Sequence, residues 1–474
     1  MTSDSVLSHF KKITEIPRES GHEGPMTAYL QSFAASHGLG CKTDSTGNVL
    51  IIKEASPGKE NVPTIVLQGH QDMVCEKNAG VQHDFSKDPI RYVIENGWMI
   101  AKDTTLGADD GIGIAASLAL LESDAPMGRI ECLFTISEET GMDGAEALKE
   151  GFFTGKTLIN LDSEEEGEFC IGCAGGLNTM AVFRYDTENR REDYGRLRLT
   201  ISGAIGGHSG EDINKERMNT VQQMARFLYG ELSYGLQLIL LKGGNKPNAI
   251  ARECEAVIAV PDPDATSGRF TAFGKDVKAE FAVSDPDVTF VSAPAFLNEK
   301  AVESGCACRL ITSLFTCPHG VQAMSQDIKG LVETSTNLAS VRMTEHGEVK
   351  VVTSQRSSIT SAKRMIAAKV RANFEAAGAE VVHQYEYPGW KPDTQSHILH
   401  ECVESYKRLF GVEPIVKAIH AGLECGLFLE KFPGLDMISF GPTLLGVHAP
   451  GESMDLASLD KFVALLEDVV VNFK

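Results

Sequence analysis

One stretch of the sequence predicts how the chain folds: Leu67-Gln68-Gly69-His70-Gln71-Asp72-Met73-Val74. It ends an apolar run from Thr64 that lies between Pro63 and Gly69, a pattern typical of a buried strand. Side chains two residues apart in extended backbone project to the same side, so we expect Asp72 beside the imidazole of His70. A carboxylate in that position would hold a metal-bound histidine in one tautomer. A solvated loop histidine would give the same pattern, so this stretch alone does not establish a metal site.

Strands and helices alternate on both sides of this stretch. Alternation of this kind predicts an α/β fold in which helices cover both faces of a mixed sheet, an α/β/α sandwich. The predicted elements include a strand at Val49–Lys53, a helix at 112–121, strands at 130–136 and 157–161, a helix at 396–410, a strand at Ile415–Ile419 and a terminal helix at Leu456–Asn472.

The rhythm of the sequence changes in the middle of the chain. The charged segment Asn189-Arg190-Arg191-Glu192-Asp193 marks the beginning of this region, and Pro388-Gly389-Trp390-Lys391-Pro392 is typical of a linker. We therefore expect an α/β domain formed by residues 1–186 and 394–474, interrupted by an inserted α+β domain at 187–393.

Two passages within the expected insert are similar to each other. Residues 197–202 form a predicted strand that leads to a predicted helix at 220–229, and residues 349–353 lead in the same way to a helix at 361–376. This similarity predicts that the insert is internally duplicated.

Composition restricts the classes of partner. The chain has 44 basic and 65 acidic residues, a formal charge of −21, which disfavours nucleic acid and anionic membranes. No basic, apolar leader opens the chain, and no run of about 18 apolar residues occurs. The 11 cysteines are scattered, as reduced thiols would be. These features predict a soluble cytoplasmic protein that binds neither nucleic acid nor a membrane.

Four further polar motifs follow apolar runs, at the positions where open α/β sheets bind ligands. Any one of them alone is compatible with a helix cap or a solvated charge. Together with His70 they predict a site of histidine and carboxylate ligands that suits zinc, manganese or cobalt. The motifs are Gly107-Ala108-Asp109-Asp110-Gly111, Ser137-Glu138-Glu139-Thr140-Gly141, Asn160-Leu161-Asp162-Ser163-Glu164-Glu165-Glu166 and Gly446-Val447-His448-Ala449-Pro450.

The order of these motifs, with Gly172-Cys173-Ala174-Gly175-Gly176 and Gly206-Gly207-His208-Ser209-Gly210 between them, resembles the M20 metallopeptidases. Within that family it is most similar to the aminoacyl-histidine dipeptidase branch. The motifs extend from about Gly69 to His448, so the resemblance covers nearly the whole chain. It implies that the interrupted α/β domain is catalytic and that the insert is a lid.

The resemblance also implies a ligand set for two metal ions. Asp109 would be shared, His70 and Asp162 would complete one ion, and Glu139 and His448 would complete the other. Two ions held in this way would activate a water and polarise the scissile carbonyl. Zinc is the expected metal, with cobalt and manganese as alternatives.

Three further features of the catalytic domain follow from the resemblance. Asp72 would orient His70, and Glu138 would be the general base that accepts the proton of the water. Spacing alone does not distinguish Asp109 from Asp110, so the choice of Asp109 also rests on the resemblance. The family has a cis peptide bond between these two aspartates.

Substrate-binding residues are expected mainly in the lid. His208 would stabilise the oxyanion, and Arg356 and Asn248 would bind the substrate carboxylate. A histidine in a glycine-rich turn and a surface arginine are the alternatives. His420 and Glu424, expected in the catalytic domain, would line the pocket or bind the substrate amino group.

The expected function is therefore hydrolysis of unblocked dipeptides, with broad specificity and a preference for Xaa-His implied by the resemblance. A homodimer is expected on the same basis. One alternative is another amidohydrolase of the same family, such as a tripeptidase or an acyl-amino-acid deacylase. The other is a catalytically silent relative that only binds peptides.

Overall fold

The computed structural model describes residues 1–297, 299–344 and 346–474 and divides the chain into two compact units. The first unit comprises Met1–Gly172, Trp390–Ala418 and Leu423–Lys474. The second comprises Cys173–Gly389 and Ile419–Gly422.

The five helices predicted above are present, and they begin and end within four residues of the predicted positions. The helices of the structure are α1 (Ser3–Ile13), α2 (Gly24–Ser36), α3 (Ala108–Glu122), α4 (Glu138–Gly141), α5 (Asp143–Ala147), α6 (Thr220–Glu231), α7 (Pro263–Glu280), α8 (Ser304–Thr316), α9 (Thr360–Ala376), α10 (His397–Phe410), α11 (Glu424–Lys431) and α12 (Leu456–Asn472).

The strands are β1 (Gly40–Thr43), β2 (Val49–Lys53), β3 (Ile65–His70), β4 (Tyr92–Glu95), β5 (Trp98–Ala101), β6 (Ile130–Thr135), β7 (Thr157–Asn160), β8 (Glu168–Cys173), β9 (Gly175–Arg184), β10 (Thr187–Glu188), β11 (Gly195–Ser202), β12 (Gln237–Gly243), β13 (Cys254–Val260), β14 (Thr289–Pro294), β15 (Ala301–Val302), β16 (Gly320–Met324), β17 (Val332–Met343), β18 (Glu348–Ser357), β19 (Glu380–Tyr387), β20 (Ile415–Ile419), β21 (Asp436–Ser439), β22 (Leu444–Leu445) and β23 (Ser453–Asp455).

The first unit is built on a mixed sheet with the strand order β1-β2-β6-β3-β7-β21-β8-β20. The neighbours β6, β3, β7 and β21 run parallel, whereas β1 and β2 are antiparallel additions. Every residue of β3, β6 and β7 is buried, as expected for central parallel strands. The predicted mixed α/β fold is confirmed, and the carboxyl ends of three parallel strands meet at one edge.

Helix α3 and a small second sheet of the first unit position Asp109 and His448. Helix α3 contacts β3 and α1, and its residues are buried from Ala108 to Leu121, which agrees with its small and apolar sequence. A second sheet with the order β22-β23-β5-β4 presents the loop that contains His448.

The second unit is built on an antiparallel sheet with the order β14-β11-β13-β12-β17-β18-β9-β19, with β16 paired to β17. Apolar residues of α6, α7, α8 and α9 pack with apolar residues of this sheet in one core. Both similar passages consist of a strand followed by a helix, β11 with α6 and β18 with α9. Internal duplication of the insert stays a prediction.

The boundaries of the units differ from the expected 187 and 393. The second unit begins at Cys173 because β9 pairs with β18 and β19 over most of its length and so belongs to the antiparallel sheet. The charged segment Asn189-Arg190-Arg191-Glu192-Asp193 comes only after β9, and it suggested a later boundary. The first unit resumes at Trp390, and the short segment Ile419–Gly422 returns to the second unit.

Within the described residues, none of the helices combines the length and the apolar character that crossing a membrane requires.

Candidate metal centre

Strand ends bring most of the predicted ligands together in the first unit. His70 is the last residue of β3, Glu139 lies in α4 directly after β6, and Asp162 follows β7. Because β6, β3 and β7 are parallel neighbours, these three side chains emerge at the same edge of the sheet. Asp109 joins them from the N-terminal end of α3, and His448 from the loop between β22 and β23.

Asp109 lies between two groups of potential ligands. Its Oδ1 atom is 2.9 Å from Nε2 of His70, which is also 3.6 Å from Oδ1 of Asp162. Its Oδ2 atom is 3.1 Å from Nε2 of His448, which is 2.8 Å from Oε1 of Glu139. Within each group of three residues, the potential ligand atoms lie within 4.8 Å of one another. One aspartate thus presents one oxygen to each group.

The electrostatics of the cluster fit bound cations. Burial, with the nearby Asp109 carboxylate, raises the pKa of Asp162 well above its ordinary value. Burial opposes protonation of His70, but Asp162 and Asp109 outweigh it and raise the pKa of the imidazole. Carboxylates crowded around two imidazoles at hydrogen-bonding distance need either protons or metal cations to balance their charge. The oxygen and nitrogen donors are those preferred by zinc, manganese and cobalt.

The structure separates the roles of the two neighbouring aspartates. The peptide bond between Asp109 and Asp110 is cis, as the family resemblance implied. The carboxyl group of Asp110 accepts hydrogen bonds from the backbone N–H groups of His70 (3.3 Å) and Gly113 (3.1 Å). Burial raises its pKa to about 8. Asp110 therefore contacts backbone, and Asp109 faces the histidines.

Asp72 contacts both His70 and the backbone of the glutamate pair. Its Oδ1 atom is 3.3 Å from Nδ1 of His70, opposite the nitrogen that faces Asp109. Its carboxylate also accepts hydrogen bonds from the N–H groups of Glu138 (3.1 Å) and Glu139 (3.2 Å) and from the hydroxyl of Ser20 (2.8 Å). Burial opposes its ionisation, but His70 and these donors hold the pKa of Asp72 at about 2.

Glu138 lies beside the ligand cluster. One of its oxygens is within 4.8 Å of potential ligand atoms of His70 and Glu139. Burial, with the carboxylates of Glu424, Glu139 and Asp109, raises its pKa to about 8. A carboxyl group with a raised pKa at a metal cluster is suited to proton transfer near neutral pH.

Glu424 also belongs to the first unit. It is buried, and its Oε2 atom accepts hydrogen bonds from Nε2 of Gln68 (2.6 Å) and the hydroxyl of Thr135 (2.9 Å). Burial raises its pKa to about 7. His420, expected in the same domain, instead belongs to the second unit, because Ile419–Gly422 lie there. The expectation that these two residues share a domain is wrong.

The second unit brings together the other predicted substrate residues. Nη2 of Arg356 lies 3.4 Å from Nε2 of His208, and Nη1 donates a hydrogen bond to the hydroxyl of Tyr387 (3.1 Å). The carbonyl of Asn248 accepts a hydrogen bond from the N–H group of Ser209, next to His208 (2.9 Å). A cavity of about 280 Å³ is lined by Asn248, Arg356 and Tyr387.

His420 lies in the second unit beside a strand neighbour of Arg356. Its Nε2 atom is 2.7 Å from the hydroxyl of Ser335, which lies opposite Arg356 on the neighbouring strand. Burial, with the charge of Arg356, lowers the pKa of His420 to about 3, so its imidazole is neutral at physiological pH. The surface-arginine alternative is wrong, because Arg356 is only 7% exposed.

Sequence reasoning missed two buried charged residues of the first unit, Arg18 and Glu452. Both contact backbone next to the ligands, and each is only 2% exposed. The sequence contains one weak signal, since Glu452 lies four residues after His448, but its charge is equally typical of a solvated loop.

Comparison with known proteins supports the resemblance. Residues 66–472 match the model of "Peptidase family M20/M25/M40". The chain is 38% identical over 466 residues to the cytosol non-specific dipeptidase of Escherichia coli (strain K12), covering 97% of this chain and 96% of that protein. The crystal structure of aminoacylhistidine dipeptidase from Vibrio alginolyticus matches with a TM-score of 0.93 at 38% identity, over 99% of this chain and 96% of that one. Aminopeptidase PepT from Bacillus cereus ATCC 10987 shares the fold, with a TM-score of 0.64 at 17% identity over 99% and 98% of the two chains.

Proposed function

Because the chain belongs to peptidase family M20/M25/M40, we propose that it is a metal-dependent dipeptidase that hydrolyses unblocked dipeptides. The observation that carries this proposal is the position of Asp109, which presents one carboxylate oxygen to each of two ligand groups. Two relatives at 38% identity that this chain covers almost completely are named as dipeptidases, which supports the substrate class. The name aminoacylhistidine dipeptidase supports Xaa-His substrates, and the name non-specific dipeptidase supports a broad range of dipeptide substrates.

In this proposal His70, Asp109 and Asp162 hold one metal ion, and Asp109, Glu139 and His448 hold the other. The metal is zinc, and cobalt or manganese would be accepted by the same donors. When bound, two such ions polarise the scissile carbonyl and make a water nucleophilic near neutral pH. Asp72 keeps Nε2 of His70 directed at the site by contacting its Nδ1 atom.

Glu138 is the proposed general base and acid. One of its carboxylate oxygens accepts a proton from the attacking water, and the same proton then passes to the nitrogen of the leaving amine. His208 is proposed to stabilise the negative charge that develops on the carbonyl oxygen. Its pKa is lowered by burial and by Arg356, so a neutral imidazole would do this by hydrogen bonding.

The free ends of the dipeptide are proposed to be recognised by different groups. Arg356 and Asn248 bind the terminal carboxylate, since a buried guanidinium beside a cavity suits a planar anion. His420, held by Ser335, lines the same part of the second unit. Glu424 binds the substrate amino group, since its buried Oε1 atom accepts no hydrogen bond from the part of the chain that the structure describes.

We further propose that residues 187–393 act as a lid, that the protein is cytoplasmic and that it forms a homodimer. The cytosolic relative supports the location. Strand β14, at the end of the antiparallel sheet, exposes Val291, and the chain just beyond it exposes Phe296. A second copy of the chain would cover these apolar side chains, and light scattering of the purified protein would measure its mass.

The substrate class is tested by a hydrolysis panel. Ala-His, β-Ala-His and Ala-Ala would be compared with N-acetylated amino acids and a tripeptide, each after chelation and again with added Zn²⁺, Mn²⁺ or Co²⁺. We expect metal-dependent cleavage of the unblocked dipeptides. Faster cleavage of the acetylated amino acids or of the tripeptide would assign a different amidohydrolase activity. No cleavage under any condition would leave only a peptide-binding role.

A further inference from the structure

The guanidinium of Arg18 joins two ligand-bearing segments of the first unit. Nη1 donates hydrogen bonds to the carbonyls of Asp72 (2.6 Å) and Gln71 (3.3 Å), directly after His70. Nη2 donates to the carbonyl of Gly107, which lies two residues before Asp109. Arg18 lies in the loop between α1 and α2 and is only 2% exposed. It therefore connects the backbone that presents one ligand to the backbone that presents the shared ligand.

The glycines of Gly107-Ala108-Asp109-Asp110-Gly111 make room for this guanidinium. A Cβ atom at Gly111 would lie 2.7 Å from Nη2 of Arg18, and one at Gly107 would clash with the same atom. Gly107 also has a φ of +67°, which disfavours other residues. Both ends of the motif are thus shaped around Arg18.

Glu452 connects the same segment to the loop of His448. Its Oε2 atom accepts hydrogen bonds from the N–H groups of Leu106 (2.7 Å) and Gly107 (3.0 Å), and its Oε1 atom accepts one from Ala108 (2.8 Å). Glu452 is only 2% exposed and lies in the same inter-strand loop as His448. One carboxylate therefore joins the backbone of His448 to the backbone that leads into Asp109.

We propose that Arg18 and Glu452 are positioning residues that set the affinity of the two metal sites. Arg18 fixes Asp109 relative to His70, and Glu452 fixes Asp109 relative to His448. Because Asp109 is a ligand in both groups, each residue bears on both ions, and most strongly on the ion whose second ligand it also fixes. This inference rests on the ligands assigned in the proposed function, and it adds residues that do not themselves contact a metal.

Two substitutions separate these effects. In Arg18→Lys a single ammonium replaces the planar fork and cannot hold the carbonyl groups of Gln71, Asp72 and Gly107 together in the same geometry. In Glu452→Gln an amide NH₂ group faces backbone N–H groups that need an acceptor. The metal-free variants would be titrated with Zn²⁺ in competition with a chromophoric chelator. Groups that orient metal ligands typically change affinity about 10- to 100-fold, so we expect one of the two dissociation constants to rise by that factor in each variant.

The matched control is Glu131→Gln. Glu131 is another buried carboxylate that accepts backbone hydrogen bonds, from Thr154 (2.7 Å) and Gly155 (2.9 Å), but it lies near the start of β6, away from the ligand end of the strand. This variant should lower the melting temperature of the metal-free protein and leave both dissociation constants unchanged. A role of Glu452 in folding alone would give the same result as this control.

Binding of both ions with wild-type affinity in Arg18→Lys and Glu452→Gln would overturn the inference. If metal-free Glu452→Gln does not fold, the same Zn²⁺ titration of Glu452→Asp tests the role of Glu452. The shorter carboxylate cannot reach all three N–H groups, those of Leu106, Gly107 and Ala108. Failure of the wild-type protein to bind two ions would instead contradict the ligand assignment of the proposed function.

Discussion

Glu138 provides the sharpest prediction at the scale of single residues. Glu138→Gln keeps the size of the side chain but removes its ability to accept a proton. We expect kcat for Ala-His to fall by about 10²- to 10⁴-fold, with the zinc content unchanged by elemental analysis. Asp162→Asn is the complementary variant, and it should lose zinc on dialysis. Near-normal turnover of Glu138→Gln would exclude it as the general base.

Arg356 gives a second prediction at this scale. Arg356→Lys removes the fork that is proposed to bind the substrate carboxylate, so kcat/KM for a dipeptide should fall about 10- to 100-fold. For the corresponding dipeptide amide, which has no carboxylate, kcat/KM should fall far less. Arg364→Lys is the control, because that arginine is exposed and pairs with Glu386. An equal loss for both substrates would argue against carboxylate binding by Arg356.

At the scale of secondary structure elements, Glu131 stabilises β6. Burial opposes its ionisation, but the N–H groups of Thr154 and Gly155 outweigh it and hold its pKa below 4.5. Glu131→Gln should therefore lower the free energy of unfolding by about 1–3 kcal/mol at pH 7, measured by urea denaturation. Because the folded-state pKa is depressed, this difference should be fully present above pH 4.5 and shrink as the pH falls through the folded-state value. A difference that grows on acidification would contradict this role.

The parallel strands explain how much of the site could be predicted from the sequence. His70, Glu139 and Asp162 each lie at the end of an apolar run or within a few residues after it, which is a local pattern of the sequence. Because the strands are parallel neighbours, the ends of these runs lie together in the fold. Arg18 contacts Asp72, which is 54 positions away, and Glu452 contacts Gly107, which is 345 positions away. No local sequence pattern signals contacts over such separations. Their burial comes only from the tertiary fold.

For the whole molecule, the separation into two units gives a prediction about metal binding. The residues proposed as ligands all lie in the first unit. Zinc should slow hydrogen exchange in the ligand loops around His70, Asp109 and His448. Each bound ion should stabilise the folded state by about 2.7 kcal/mol at 100 times its Kd. Core strands of the second unit should exchange at unchanged rates in the same mass-spectrometric experiment. Protection confined to the second unit would contradict the assignment.

The division of the chain was the least predictable feature at this scale. Strand β9 follows β8 after a single residue, Ala174, and without a polar break, yet the two strands belong to different sheets. The return of Ile419–Gly422 to the second unit also has no compositional signal. Both depend on strand pairing between distant segments. For this reason His420 and Glu424, four residues apart, were expected in one domain and lie in two.

We propose that dipeptide hydrolysis by this protein needs two metal ions that share Asp109 as a ligand. The most direct test is titration of the metal-free protein with Zn²⁺ while the hydrolysis of Ala-His is followed. We predict that activity is absent at first and reaches a plateau at two ions per chain, and that Asp109→Asn stays inactive throughout. Full turnover in the metal-free protein, or in Asp109→Asn, would contradict the account.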